Sequence, residues 1–247
     1  MFCQIITSKD TIVLEYFGAV IFDLDNSLFD EKKFIIAAYR NIAEYLAKLC
    51  DQSKKELFEK LFSMFLTKTS MYPRLFDDFI EEIGLKQEVL SELIKIYAST
   101  KVDLKPYPGA ENILQNLKSQ GIKLCLVTNG NIETQKNKIR QLGLTKYFDS
   151  IIYARKMGKG KEKPNPKVYS KALHLLFAKS EETFCVGDNP YTDFLGAKKL
   201  GIRTIRLLQG EFRNVRLTPE YEATITVKNL NELNDFFNKK FRINNAP

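Results

Sequence analysis

The chain has 247 residues, 44% of them hydrophobic and 28% charged, an ordinary globular composition that fits one large domain or a core with a smaller partner. No apolar run approaches membrane-spanning length, and the opening MFCQIITSKDTIVLEYFG has no basic leader, long apolar stretch or small-residue cleavage site, so no secretion signal is expected. The formal charge of +8 permits nucleic-acid binding, but Lys and Arg are scattered and KMGKGKEK (156–163) is the one dense cluster. Charge spread in this way suits attraction of phosphorylated metabolites, and neither a nucleic-acid nor a membrane partner is expected.

Apolar runs mark the strands in chain order: AVIFDL (19–24), KLCLVT (123–128), SIIYA (150–154), TFCVG (183–187), RTIRLL (203–208) and ATITV (223–227). Most are apolar on both faces, as strands inside a parallel sheet must be. Helical stripes lie between them. Ala110, Ile113, Leu114 and Leu117 follow Pro108 and stop at Gly121; Val168, Tyr169, Ala172, Leu173 and Leu176 follow Pro166. The expected class is α/β, a Rossmann-like parallel sheet covered by helices. A short helix near Leu230–Phe237 and a frayed basic tail close the chain.

Residues 31–104 break this alternation. Ile35, Ala38, Ile42, Leu46 and Leu49 make one stripe, Leu57, Leu61 and Phe65 a second, Leu75, Phe79 and Ile83 a third, Leu90, Leu93 and Tyr97 a fourth. Four helices without a strand predict an all-helical cap inserted at 31–104, with 1–30 and 105–247 forming the catalytic core.

The four cysteines, Cys3, Cys50, Cys125 and Cys185, make no CxxC pair and no zinc spacing. Cys125 and Cys185 fall in strand-like runs, where a free thiol acts as a small buried hydrophobe. A reducing, cytoplasmic home follows. His174, the lone histidine, lies on the helical face opposite Val168 and Ala172 and reads as solvated.

Ligands in parallel sheets bind outside the carboxyl ends of the strands, so those ends carry the functional reading. The first presents Asp23 and Asp25, costly neighbours unless something cationic lies between them. The second ends in VTNG, with the Thr128 hydroxyl and the Asn129 amide. KEKPNP follows the third and brings Lys163. The fourth ends in VGDNPYTD, with Asp188 and Asp193. Carboxylates, one hydroxyl, one amide and one ammonium on a single edge suit phosphoryl transfer: Mg²⁺ takes hard oxygen ligands, and a carboxylate nucleophile splits hydrolysis into two displacements.

FDLDNSLF, VTNG, KPNP and GDNPYTD, in that order and strand context, resemble the haloacid dehalogenase-like hydrolase superfamily, most closely its phosphatases with a helical cap after the first motif. The resemblance spans roughly residues 18–235. It implies Asp23 as nucleophile and Mg²⁺ ligand, and Asp25 as general acid/base with its main-chain carbonyl on the metal. It implies Thr128, Asn129 and Lys163 on the phosphate, Asp188 as acidic metal ligand, and Asp193 as a supporting carboxylate. Dehalogenating members generally lack an acid at the second position, so Asp25 speaks for phosphate. Ser27 replaces a common threonine and keeps its hydroxyl; Lys159 and Lys161 compete with Lys163 for the lysine's role.

The expected activity is Mg²⁺-dependent hydrolysis of a small phosphorylated metabolite, such as a sugar phosphate or nucleoside monophosphate, through an aspartyl-phosphate. A phosphomutase on the same machinery is the enzymatic alternative, and a non-catalytic binding or regulatory protein on this fold is the other. Phe29, Glu31, Lys32, Tyr72 and Arg74 are candidates for the substrate pocket.

Overall fold

The computed structural model describes residues 17–244; residues 1–16, with Cys3 and the segment expected to lack a secretion signal, lie outside the described residues. The chain forms two compact units. One comprises Met1–Phe29, Pro106–Asn129 and Lys146–Pro247, and the other Asp30–Lys105 with Gly130–Thr145.

The first unit is built on six parallel strands, β1 (Ala19–Phe22), β2 (Lys123–Thr128), β3 (Ser150–Tyr153), β4 (Thr183–Gly187), β5 (Arg203–Leu207) and β6 (Ile225–Val227), in the order β3-β2-β1-β4-β5-β6. β1 is central, and the direction of winding reverses between it and β4, the place where open α/β sheets leave a crevice. Its four residues are all buried because both faces are covered. Ala19 and Ile21 pack with Cys125, Val127 and Cys185 against Val168, Tyr169 and Ala172 of α7 (Pro166–Leu176). On the other face Phe17, Phe184 and Phe237 meet with ring centroids 5.0–5.5 Å apart. Phe237 comes from α9 (Leu230–Asn244), which packs on α5 (Ala110–Ser119), while the short α8 (Leu195–Lys198) packs on α7. Each buried Val, Ile or Phe side chain among these stabilises the fold by about 1.5–3 kcal/mol.

Two details of the C-terminal stretch differ from the sequence reading. The last helix does not stop near Phe237 but runs to Asn244. The strand expected over 223–227 begins at Ile225, because Thr224 turns to the Thr204 side chain, which accepts from its amide at 2.9 Å. His174 is exposed, and Cys125 and Cys185 are buried free thiols, as the helical face and the strand runs imply.

The second unit holds α1 (Glu31–Leu46), α2 (Lys54–Lys68), α3 (Leu75–Glu82), α4 (Leu90–Ser99) and α6 (Ile132–Leu142). Asp30 caps α1, and Ser53 and Glu56 cap α2 reciprocally, each side chain accepting from the other's main-chain N–H. Ile35, Tyr39, Ile42 and Leu46 bury against Leu57, Leu61, Phe65, Phe79 and Leu93. Leu49, expected on the α1 stripe, lies past the helix end and is exposed.

The stripes of 31–104 do not reveal that α6 joins this unit. α6 buries Ile139 and Leu142, and it is also held by polar contacts: Asn137 donates to the carbonyls of Ala98 and Thr100 at 2.9 and 2.7 Å, and Gln141 donates to Thr100 and accepts from Val102 N–H. The Lys138 ammonium, 2% exposed, meets Glu31 at 2.8 Å above the Phe34 ring. A period-3.6 hydrophobic pattern cannot report contacts of this kind.

Candidate active site

Parallel register brings the functional side chains to one edge. Phe22 pairs with Leu126 on one side and Val186 on the other, so Asp23 emerges level with the ends of β2 and β4. Its main-chain N–H donates to Val186 O at 2.9 Å, extending the ladder by one step before the chain turns. The turn is closed by Leu28 N–H on Leu24 O and includes Asn26 in left-handed backbone (φ 57°). Beyond it, Phe29 bridges Pro106, so the two ends of the 30–105 segment leave and rejoin the first unit side by side.

The Asp23, Asp188 and Asp193 carboxylates converge, each offering an oxygen within 4.8 Å of the other two, and all three residues are nearly buried. Lys163, 5% exposed, lies between two of them. Its ammonium donates to Asp23 Oδ1 and, at 2.8 Å, to Asp193 Oδ1. Lys159 and Lys161 are both exposed, and Lys163 makes this contact. The Ser27 hydroxyl reaches Asp23 Oδ2 at 3.2 Å and Asp188 Oδ1 at 3.3 Å; its one hydrogen serves one carboxylate at a time.

Asp193 is held in place from several directions. Its Oδ2 accepts from Asn189 N–H at 3.0 Å, its Oδ1 also from Thr192, and the Tyr169 hydroxyl donates to its carbonyl at 2.7 Å. Gly187 permits the approach, since a Cβ there would fall 2.2 Å from Asp193 Oδ2. With both oxygens engaged by protein donors, Asp193 is suited to anchoring the lysine. Thr128, at the end of β2, is buried and donates to the Asn129 carbonyl at 3.2 Å, while the Asn129 side chain engages the main chain of Lys163. The Ser27 contacts and the Asn129 hold on the Lys163 main chain are not foreseen from the sequence, where Asn129 is expected on the phosphate and only the hydroxyl kept at position 27 hints at the first.

Electrostatics follow from this crowding. Burial pushes the Asp23 carboxyl well above the ordinary carboxylate range; Lys163 pulls it back, and Asp193 and Asp25 push it further up. Burial alone would favour a neutral Lys163, but Asp193 and Asp23 outweigh it and keep the ammonium charged. Two like charges this close repel by about 3–4 kcal/mol at an effective dielectric near 20. One ammonium therefore leaves three buried carboxylates undercompensated, and an all-oxygen donor set of this charge fits a hard divalent cation. Asp23 and Asp188, with Asp193 tied to the lysine, are the carboxylates that could hold it. The Asp25 side chain lies outside the converging trio.

Of the other pocket candidates, Phe29 is buried in the first unit and Glu31 is paired with Lys138. Tyr72 and Arg74 both engage Asp78, the phenol at 2.6 Å and the guanidinium at 3.5 Å.

Residues 20–207 match the family model of haloacid dehalogenase-like hydrolases. Glyceraldehyde 3-phosphate phosphatase of Methanopyrus kandleri is 32% identical over 80% of this chain and 86% of its own. The Methanocaldococcus jannaschii enzyme of the same name is 32% identical over 87% and 95%. The crystal structure of a HAD phosphatase from Thermococcus onnurineus superposes with a TM-score of 0.64 at 27% identity, covering 89% of this chain and 97% of that one. Fold, site and relatives agree on an enzyme of the phosphatase class. The chain belongs to the haloacid dehalogenase-like hydrolase family. No helix among the described residues is long and apolar enough to cross a membrane.

Proposed function

We propose that the enzyme is a Mg²⁺-dependent phosphatase of short phosphorylated sugars, trioses among them, working through an aspartyl-phosphate on Asp23. The observation that carries this reading is the Lys163 ammonium seated between Asp23 and Asp193, with Asp188 beside them. Such a lysine offsets the charge of the nucleophile and of an arriving phosphate together.

In this reading an Asp23 carboxylate oxygen attacks phosphorus as the bond to the substrate's alkoxide breaks. Asp25 donates its proton to that alkoxide. It then takes a proton from water, which attacks the acyl-phosphate, freeing inorganic phosphate and restoring Asp23. Thr128 and Lys163 hold the phosphoryl oxygens, and Asn129 acts through Lys163. Mg²⁺ on Asp23, Asp188 and the Asp25 carbonyl would supply the positive charge that lets an anionic nucleophile approach a phosphate dianion.

The substrate class rests on relatives named glyceraldehyde 3-phosphate phosphatase at 32% identity. Residues 31–104 are proposed as the cap that selects among phosphomonoesters, since they enter directly after the first motif and carry their own core. Free Cys50, Cys125 and Cys185 suit a reducing cytoplasm. The test is phosphate release from a panel of phosphomonoesters, including glyceraldehyde 3-phosphate, with and without Mg²⁺. Release of free phosphate, preferring short sugar phosphates, is expected. Isomerised substrate without free phosphate would indicate a mutase, and inertness toward the whole panel would overturn the reading.

A further inference from the structure

The turn after β1 has a second support, which comes from the end of β5, two strands away on the same edge of the sheet. Gln209 follows β5, where Leu208 N–H is anchored on Val227 O of β6 at 2.9 Å. Its side-chain Nε2 donates to the carbonyls of Asn26 and Ser27, at 3.1 and 2.9 Å. Both hydrogens of one amide are thus spent on consecutive carbonyls of the turn between Asp25 and Leu28. The neighbour, Gly210, has φ +70°, and a Cβ on it would fall 2.3 Å from Asn26 Cβ. Backbone and side chain therefore meet the turn together, and a bulkier residue at 210 would have to displace the Asn26 side chain.

We propose that Gln209 is a positioning residue for catalysis, a role that rests on the phosphatase reading above. The turn it grips carries Asp25 on one side and Ser27 on the other, and the Ser27 hydroxyl touches both Asp23 and Asp188. Asn26 holds a left-handed conformation that non-glycine residues adopt at a cost unless their surroundings impose it. Gln209 imposes it by taking both carbonyls. Without that grip the turn relaxes, and the acid and the hydroxyl lose register with the nucleophile while the phosphate-holding groups, which come from elsewhere, keep theirs. Misplacement by about an ångström costs up to roughly a hundredfold in rate.

The test compares wild type with Gln209→Ala and Gln209→Glu, the latter isosteric but unable to donate when ionised. In both, kcat is expected to fall about tenfold or more, with KM within about twofold. The Leu28 amide, which closes the turn, should exchange its hydrogen faster in the variants, while the amides of β2 keep their protection. Unchanged kcat would overturn the proposal, whatever the exchange rates. A lower kcat with unaltered Leu28 exchange would overturn it too, since the effect would not pass through the turn. Gly210→Ala, which intrudes on Asn26 from the same loop, should reproduce the loss of kcat. A wild type that releases no phosphate overturns the phosphatase reading and this role with it.

Discussion

Asn129 holds the main chain of Lys163 from both ends: its Nδ2 donates to Lys163 O at 3.0 Å, and its Oδ1 accepts from Lys163 N–H at 3.1 Å. The two residues are far apart in sequence, yet this clamp fixes the backbone from which the lysine reaches Asp23 and Asp193. Asn129→Ala removes both bonds. Asn129→Asp keeps the acceptor but sets a carboxylate oxygen against the Lys163 carbonyl. Both variants are expected to lose kcat by about tenfold or more, the aspartate at least as much as the alanine. An Asn129→Asp enzyme of wild-type kcat would show that the clamp does not hold the lysine.

Asp23→Asn preserves shape and removes the attacking charge, and phosphate release should drop by about 10⁴-fold or more on every substrate. The fold should not suffer, because one of several crowded carboxylates is neutralised while Lys163 keeps Asp193. The check pairs a phosphate assay with a thermal melt. A variant that loses activity and folding together would leave the nucleophile's role undemonstrated, and substantial residual turnover would contradict it.

Metal removal gives a readout independent of turnover. An ion that binds the native carboxylates and not the unfolded chain stabilises by about 2.7 kcal/mol at a concentration a hundredfold above its dissociation constant. Mg²⁺ should therefore raise the melting temperature of the chelator-treated wild type and reverse the chelator's loss of activity. Asp188→Asn should abolish the shift. An equal shift in that variant would place the ion elsewhere.

Glu31→Gln leaves the Lys138 ammonium buried without its carboxylate, and should destabilise the chain by about 3–5 kcal/mol in urea unfolding. Replacing Lys138 by Met in the same background should recover most of the loss, because no charge then remains buried. A single variant within about 0.5 kcal/mol of wild type would show that water reaches the pair.

Asp78 titrates low, at about 2 against an ordinary 3.8, because hydrogen bonds from Lys68 and then Tyr72 favour the carboxylate. A depressed folded-state value contributes stability that is present above the unfolded value, near 3.8, and lost as pH falls through about 2. Side-chain carboxyl NMR should give a midpoint near 2 in the wild type, moving back toward 3.8 in a Lys68→Met, Tyr72→Phe double variant.

What the sequence determined by itself is what local periodicity can encode. Runs apolar on both faces specify buried parallel strands, and the residues that end those runs, Asp23, Thr128 and Asp188, are thereby placed on one edge. The helical stripes of residues 31–104 announce a second core for the same reason. Tertiary structure decided what depends on residues brought together from afar. Lys163 rather than Lys159 or Lys161 meets Asp23, Asn129 turns to the lysine's main chain, Ser27 spans two carboxylates, and Gln209 grips the turn from beyond β5, two strands away. Helix α6 is held in the second unit partly through Asn137, Lys138 and Gln141, polar residues that a hydrophobic pattern counts as surface. Hydrophobic burial is periodic and therefore written along the chain. A hydrogen bond between residues more than a hundred positions apart depends on where the completed fold places two atoms, and no spacing in the sequence records that.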